Sequence, residues 1–230
     1  MAKHIGMVGI SPVGAALCYR QLFRHARANL PPHEHPAFTM HSLPLHGFLE
    51  AVRRDDWHRV AALLRQSVDI LANAGAQICF TPDNMVQHAL PLIARNSPIP
   101  WISMAETVAE TISKDGRTLV GIIGTTIVTS GSTYQAHLGV KGIRIHKPQH
   151  DEADTIQRII LEQLVHGVLD DASLDALHAI VVQMKERGCD AVLFGCSEAP
   201  LLVEKGDWAL PVYDSNDIVA REVFNRSTQP

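Results

Sequence analysis

Two residues that could exchange protons with a substrate, Asp83 and Cys196, occupy equivalent places in two similar segments of the chain. Gly75 and Asp83 recur as Gly188 and Cys196, each 113 residues later. A carboxylate and a thiol on opposite sides of a cleft could handle a proton on both faces of one carbon, which is the chemistry of racemisation. A single Cys after an apolar run is also common as a small core residue, so the repeat is what favours catalysis.

A second pair of segments shows the same internal repeat. Gly6 and Gly9 recur as Gly121 and Gly124, each 115 residues later. A repeat of about half the chain predicts two pseudo-symmetric halves, and in parallel α/β sheets ligands bind beyond the carboxyl ends of the strands. We therefore expect the carboxylate and the thiol to face each other across a cleft between the halves.

The elements that must position these residues alternate between strands and helices. Short apolar runs predict strands at 5–10, 37–43, 77–81, 101–103, 119–123, 144–146, 191–194 and 211–213. Helical periodicity predicts helices at 15–29, 56–74, 84–94, 106–114, 130–138, 155–167 and 174–187. This order predicts an α/β fold of two pseudo-symmetric parallel-sheet domains with the active site in the cleft between them. Residues 1–115 form the N-terminal half, with a C-terminal helix at 215–226 packing back on it, and residues 116–214 form the C-terminal half.

Composition restricts the classes of function. The 230 residues are 46% hydrophobic and 19% charged with a net charge of −4, which is typical of a soluble globular protein and gives no basic surface for nucleic acid. No apolar stretch approaches the roughly 20 residues of a membrane span, and the N-terminus lacks a secretory pattern, so we expect a cytoplasmic protein with no membrane partner. The four Cys residues lack metal-type spacing, and the glycine-containing turns lack a nucleotide motif. We expect free thiols, no metal and no cofactor.

The chain resembles the cofactor-independent aspartate/glutamate racemase family over nearly its whole length. The segments that carry the resemblance are IGMVGISP, RRDDW, TPDNMVQ, VGIIGTTIVTSGSTYQ, FGCSEAPLL and PVYDSNDIVA. The resemblance implies two facing α/β domains, frequently a homodimer, and racemisation of aspartate or glutamate without pyridoxal phosphate. It also implies that Cys196 is the second catalytic Cys, and that Asp83 stands where most members have the first.

The replacement of the first Cys by Asp83 leaves the reaction open. Typical members have a Pro-Cys-Asn-Thr run, whereas this chain has Pro82-Asp83-Asn84-Met85. A carboxylate is about 4.6 pKa units, or roughly 6 kcal/mol, less basic than a thiolate, although burial can raise a carboxyl pKa by up to about 3–5 units. Two alternatives therefore stay open. One is a single-cysteine lyase such as a malonate-type decarboxylase, and the other is a non-catalytic dicarboxylate-binding relative.

Five further residues are candidates for binding a small carboxylate or amino-acid substrate. They are Ser11, Arg53, Asn84, Thr125 and Ser197. Neutral donors and backbone N–H groups at the helix starts after the two strand ends could hold the α-carboxylate, and Arg53 resembles the family's loop cation for a side-chain carboxylate. Asn84 and Ser197 could instead cap helices, Ser11 could belong to a plain turn, and Arg53 could be an ordinary solvated residue.

Two acidic residues near the second site have simpler interpretations. Glu198 could orient Cys196, but we favour a cap for the helix that follows it. Asp214 matches the family's Asp before its last helix, and we expect it to cap that helix or to support the site indirectly.

Overall fold

The computed structural model describes residues 2–229 and has two four-stranded parallel sheets with flanking helices. The first sheet contains β1 (Ile5–Gly9), β2 (Phe38–Ser42), β3 (Ile78–Phe80) and β4 (Trp101–Ile102), in the order β2-β1-β3-β4. The second contains β5 (Leu119–Ile123), β6 (Arg144–His146), β7 (Ala191–Phe194) and β8 (Val212–Asp214), in the order β6-β5-β7-β8. The two sheets have equivalent topologies, which confirms the predicted fold class. Met1, the first residue of the predicted N-terminal half, lies outside the described residues.

Helices cover both faces of the sheets. In the first half they are α1 (Pro12–Asn29), α2 (Leu45–Arg53), α3 (Trp57–Asn73), α4 (Leu90–Ala94) and α5 (Met104–Lys114). After them come α6 (Thr126–Ser130), α7 (Ser132–Gly139), α8 (His150–Glu162), α9 (Asp171–Glu186), α10 (Ala199–Val203) and α11 (Ser215–Thr228). Two 3₁₀ turns, Gln87–Ala89 and Leu164–His166, precede α4 and follow α8.

The predicted helix over 84–94 is wrong in its first part. Residues 84–86 form a turn, and Gln87–Ala89 forms a 3₁₀ turn. The helix proper begins only at Leu90, where Pro91 occupies the first turn. Pro91 has no N–H to donate to the Gln87 carbonyl, so a continuous α-helix over 84–94 would lose a backbone hydrogen bond.

Several other helices differ from those predicted from the sequence. Helix α2 was not predicted, although its buried residues Phe48 and Val52 lie four apart on one face. The helix predicted over 130–138 is preceded by the short helix α6, and extended backbone at Gly131 separates the two. An added Cβ at Gly131 would lie 2.4 Å from the Ile127 carbonyl oxygen, so this close turn requires glycine.

One hydrophobic core joins the two halves. It combines side chains of both sheets with α1, α5, α7 and α11, and it includes Leu22, Val108, Val120, Leu193 and Val223. Helix α11 follows β8 in sequence but packs against α1 and α5 of the first half. Among residues 2–229, no helix combines the length and the apolar character that crossing a bilayer requires.

The chain passes between the halves twice, and the two crossings meet. The first crossing runs from α5 to β5, and the second runs from β8 to α11. The Tyr213 hydroxyl donates to Asp115 Oδ2 at 2.7 Å and accepts from Arg117 Nε at 3.1 Å. The Tyr213 side chain, which lies next to the second crossing, is thus hydrogen-bonded to two residues of the first crossing.

Candidate active site

A cavity of about 270 Å³ lies beyond the carboxyl ends of the central strands. Asp83 reaches it from the turn after β3, and Cys196 reaches it from the turn after β7. Ser11, Arg53, Asn84, Thr125 and Ser197 line the same cavity. All seven residues predicted from the sequence are therefore brought together in one space.

Cys196 is held as a neutral thiol. It is 4% exposed, and burial raises its pKa well above the ordinary value. The nearby carboxyl groups of Glu198 and Asp214 raise the pKa further, whereas a hydrogen bond from the Glu198 N–H lowers it. The helix that follows, α10, has only five residues, so its N-terminus does not offset the effect of burial on this pKa. The resting thiol is therefore a proton donor.

Asp83 is a buried carboxyl group with three hydrogen-bond donors. It is 5% exposed, and burial raises its pKa to about 6 against the opposing effect of those donors. The Met85 and Val86 N–H groups and the Ser197 hydroxyl donate to it, the last to Oδ2 at 3.4 Å. At neutral pH Asp83 is thus ionised, and it is a stronger base than a carboxylate in water.

Asn84 is fixed by bonds to α7 and to the first residue of α11. Its Oδ1 accepts from the Tyr134 hydroxyl at 2.5 Å, and its Nδ2 donates to Ser215 Oγ at 3.1 Å. No helix begins at Asn84, so helix capping does not explain this residue. One amide hydrogen remains for a substrate, because the side chain carries two.

Glu198 connects the halves beside the cavity. Its Oε1 accepts from the Ser11 hydroxyl at 2.5 Å, while Ser11 also caps α1 by accepting from the Gly14 N–H at 3.3 Å. The side chain of Glu198 makes no cap bond to α10, so the interpretation that we favoured is wrong. Glu198 is 2% exposed, and burial raises its pKa to about 7.

The hydrogen bond between Ser11 and Glu198 depends on close backbone packing of α1 against the turn after β7. An added Cβ at Gly14 would lie 2.3 Å from Ser197 Cβ, so α1 approaches the turn after β7 only because Gly14 has no side chain.

Asp214 accepts from the N–H groups of Asn216 and Asp217 at 2.8 and 3.2 Å and thereby caps α11, as the sequence predicted.

Thr125 and Arg53 have polar groups that a ligand could use. Thr125 Oγ1 is buried without a hydrogen-bond partner within residues 2–229. Arg53 ends α2 at the cavity and is exposed to solvent. Over the same residues, no ion pair involves its guanidinium. A hydroxyl donor and a cation are thus available to a carboxylate ligand.

Sequence reasoning missed Tyr134, which holds the cavity residue Asn84 in place. Tyr134 lies in the segment GSTYQ that the resemblance quoted, but its bond to Asn84 spans 50 residues and has no local signal. Within the described part of the chain, no group of three or more His, Cys, Asp or Glu side chains is arranged to hold a metal ion.

Comparison with solved structures shows close overall similarity. A candidate Asp/Glu racemase from Yersinia pestis has a TM-score of 0.87 at 26% identity, over 99% of this chain and 100% of that one. An aspartate racemase homologue from Pyrococcus horikoshii OT3 has a TM-score of 0.85 at 25% identity, also over 99% and 100% of the two chains. A glutamate racemase from Francisella tularensis subsp. tularensis SCHU S4, in complex with D-glutamate, shares the fold. Its TM-score is 0.70 at 13% identity, over 97% and 80%.

The family assignment rests on nearly the whole chain. A family model for Asp/Glu/Hydantoin racemase matches residues 7–223. The match includes both strand ends that carry Asp83 and Cys196, and it confirms the resemblance found in the sequence. The chain therefore belongs to the Asp/Glu/Hydantoin racemase family.

Proposed function

We propose that the protein is a cofactor-independent racemase that moves the α-proton of a small acidic amino acid, with aspartate and glutamate as the first candidates. The observation that carries the proposal is the position of Asp83 and Cys196 at equivalent strand ends of two halves, lining one cavity. Membership of a racemase family supports the same reaction.

The protonation states of Asp83 and Cys196 determine which group removes the α-proton and which one donates. Above pH 6 the Asp83 carboxylate takes the α-proton of one enantiomer, and the electron pair stays on the α-carbon as a carbanion or enediolate. The Cys196 thiol then donates its proton to the opposite face, which leaves a thiolate and a protonated Asp83. The other enantiomer is deprotonated by the Cys196 thiolate and reprotonated by the neutral Asp83 carboxyl. The two directions of the reaction therefore start from enzyme in different protonation states.

The neutral donors of the cavity stabilise the charge that develops. The Thr125 hydroxyl and the free amide hydrogen of Asn84 are donors that the substrate α-carboxylate can use. Hydrogen bonds that strengthen as the enediolate forms lower the barrier, because they favour the transition state over the bound substrate. The Arg53 guanidinium at the cavity is the group for the second carboxylate of aspartate or glutamate.

The assembly and location follow the family's pattern in this proposal. We propose a cytoplasmic homodimer whose only partners outside the dimer are small carboxylates or amino acids, with no role for nucleic acid or membranes. Sedimentation velocity of the purified chain tests the dimer directly.

Isotope exchange tests the function. Each enantiomer of aspartate and glutamate is incubated with the enzyme in D₂O, and we expect loss of the α-proton signal together with inversion of the centre. Exchange with no amino acid would contradict the proposal.

A second candidate function is a single-cysteine lyase. The neutral Cys196 thiol is suited to protonating an enediolate left by decarboxylation of a malonate-type acid, and Asp83 would then have no acid/base role. Release of CO₂ from a substituted malonate without exchange of any amino acid would favour the lyase. Tight dicarboxylate binding that survives Cys196→Ala, with no turnover, would favour a non-catalytic binding protein.

A further inference from the structure

One face of α2 forms an apolar wall of the active-site cavity. Leu45, Leu49 and Arg53 all line the cavity, and each follows the previous one by four residues. Residues at this spacing lie above one another on one helix face. The wall thus consists of two leucines on one face of α2, with the Arg53 guanidinium following them at the end of the helix.

The second half supplies a matching apolar wall. Ile160 and Leu161 of α8 and Val165 of the following 3₁₀ turn also line the cavity. Leu161 is 37% exposed, although it is a large aliphatic side chain. Burial of such exposed apolar surface by a ligand is favourable by roughly 25 cal/mol per Å².

The basic side chains of the cavity follow the apolar residues of the two walls in sequence and do not lie among them. Arg53 and His166 are the basic side chains that line the cavity, and both are exposed. The buried charged groups are the carboxyls of Asp83 and Glu198, which repel a second substrate carboxylate. A carboxylate placed between aliphatic walls would lose its hydration without compensation, whereas an uncharged chain would not.

We propose that the same site also racemises amino acids with an uncharged aliphatic or thioether side chain, which lies between the α2 and α8 walls. This activity rests on the proposed racemase function, because it uses the same Asp83 and Cys196. The aliphatic part of glutamate occupies the same space when its distal carboxylate reaches Arg53. Methionine and norvaline match that length without needing the cation.

The first test compares L-methionine with L-glutamate as substrates. Both are incubated with the full-length enzyme in D₂O at equal concentration, and loss of the α-proton is followed by NMR. We expect the methionine rate to be at least about one tenth of the glutamate rate, since pocket discrimination by apolar contacts is of this order. A lower ratio would overturn the inference and leave the proposed function intact. Exchange with neither substrate would overturn both.

Matched variants locate the apolar subsite. In Leu49→Asn the ratio of methionine to glutamate rates should fall about fivefold or more, and in Arg53→Met it should rise about tenfold or more. Leu92→Asn is the control, because Leu92 is 50% exposed on α4 and does not line the cavity. Its ratio should equal that of the parent. A ratio that Leu49→Asn leaves unchanged would overturn the placement of the side chain between the walls.

Discussion

The Ser197 hydroxyl of the second half donates to Asp83 Oδ2 of the first half at 3.4 Å. The residue next to Cys196 is therefore bonded to the group that faces Cys196 in the proposed reaction. This bond favours the carboxylate, whereas burial favours the neutral acid, and burial prevails because the pKa of Asp83 rises to about 6. The two proposed proton carriers are thus linked through Ser197.

Replacement of Asp83 tests whether it is a working base. Asp83→Asn keeps an oxygen for the Met85 N–H but cannot take a proton, so exchange by racemisation should fall about 10²–10⁴-fold. Asp83→Cys should restore racemisation to at least the parent rate. The surface variant Asp69→Asn, which loses an exposed pair with Arg65, is the control and should retain full activity. Full activity in Asp83→Asn would eliminate Asp83 as a base.

Replacement of Cys196 tests the proton donor on the other face. Cys196→Ala should abolish racemisation in both directions, because both use the thiol. Cys189→Ala is the matched control, since Cys189 is also a buried free thiol but lies outside the cavity. Initial rates from both enantiomers provide the measurement. Comparable losses in the two variants would indicate a folding defect, and circular dichroism separates that case from a catalytic one.

The pH dependence of exchange should show an acidic limb near the pKa of Asp83. Asp83 works as a base only when ionised, so exchange of the enantiomer that it deprotonates should increase as the pH rises through about 6. Glu198, with a pKa of about 7, adds a second ionisation in the same range. Initial rates between pH 4.5 and 8.5 for the parent and for Glu198→Gln distinguish the ionisation of Asp83 from that of Glu198. A limb near 4 would show that Asp83 titrates as in water.

Stability should depend on pH through the same carboxyl group. The folded-state pKa of Asp83 is about 6 and the ordinary value is 3.8, so the folded protein binds this proton more tightly than the unfolded chain. The stabilisation is fully present below 3.8 and is lost as the pH rises through 6. Asp83→Asn removes the ionisable carboxyl group and therefore removes this pH-dependent loss of stability. Relative to the parent, its free energy of unfolding in urea should rise by up to about 3 kcal/mol from pH 4 to pH 8. A constant difference would contradict the raised pKa.

Substitution of Gly14 tests the close approach of the two halves. In Gly14→Ala the new Cβ would lie 2.3 Å from Ser197 Cβ, so α1 and the turn after β7 must separate. Unfolding free energy should fall by about 1–3 kcal/mol, and activity should fall with it. Gly139→Ala is the matched control, because a Cβ there meets nothing within 4 Å and Gly139 lies in α7. It should be neutral or stabilise the protein by up to about 1 kcal/mol.

The sequence predicted the sheets, because strand periodicity is a local signal, and it predicted the shared location of Asp83 and Cys196, because two similar segments carry them at equivalent positions. It did not predict the turns at 84–89, although Pro91 has no N–H for the Gln87 carbonyl and therefore disfavours an α-helix that starts at Asn84. The bond between Ser11 and Glu198 joins residues 187 positions apart, so no local pattern could indicate it. The spacing of Phe48 and Val52, by contrast, is a local helical signal for α2, which forms one wall of the cavity.

The junction at Tyr213 ties together the two points where the chain passes between the halves. Because both crossings of the chain are bonded to one phenol, the two halves cannot slide past each other without breaking its bonds to Asp115 and Arg117. A movement of the halves that widens the cavity must therefore either keep this contact or break hydrogen bonds made by residues that do not line the cavity.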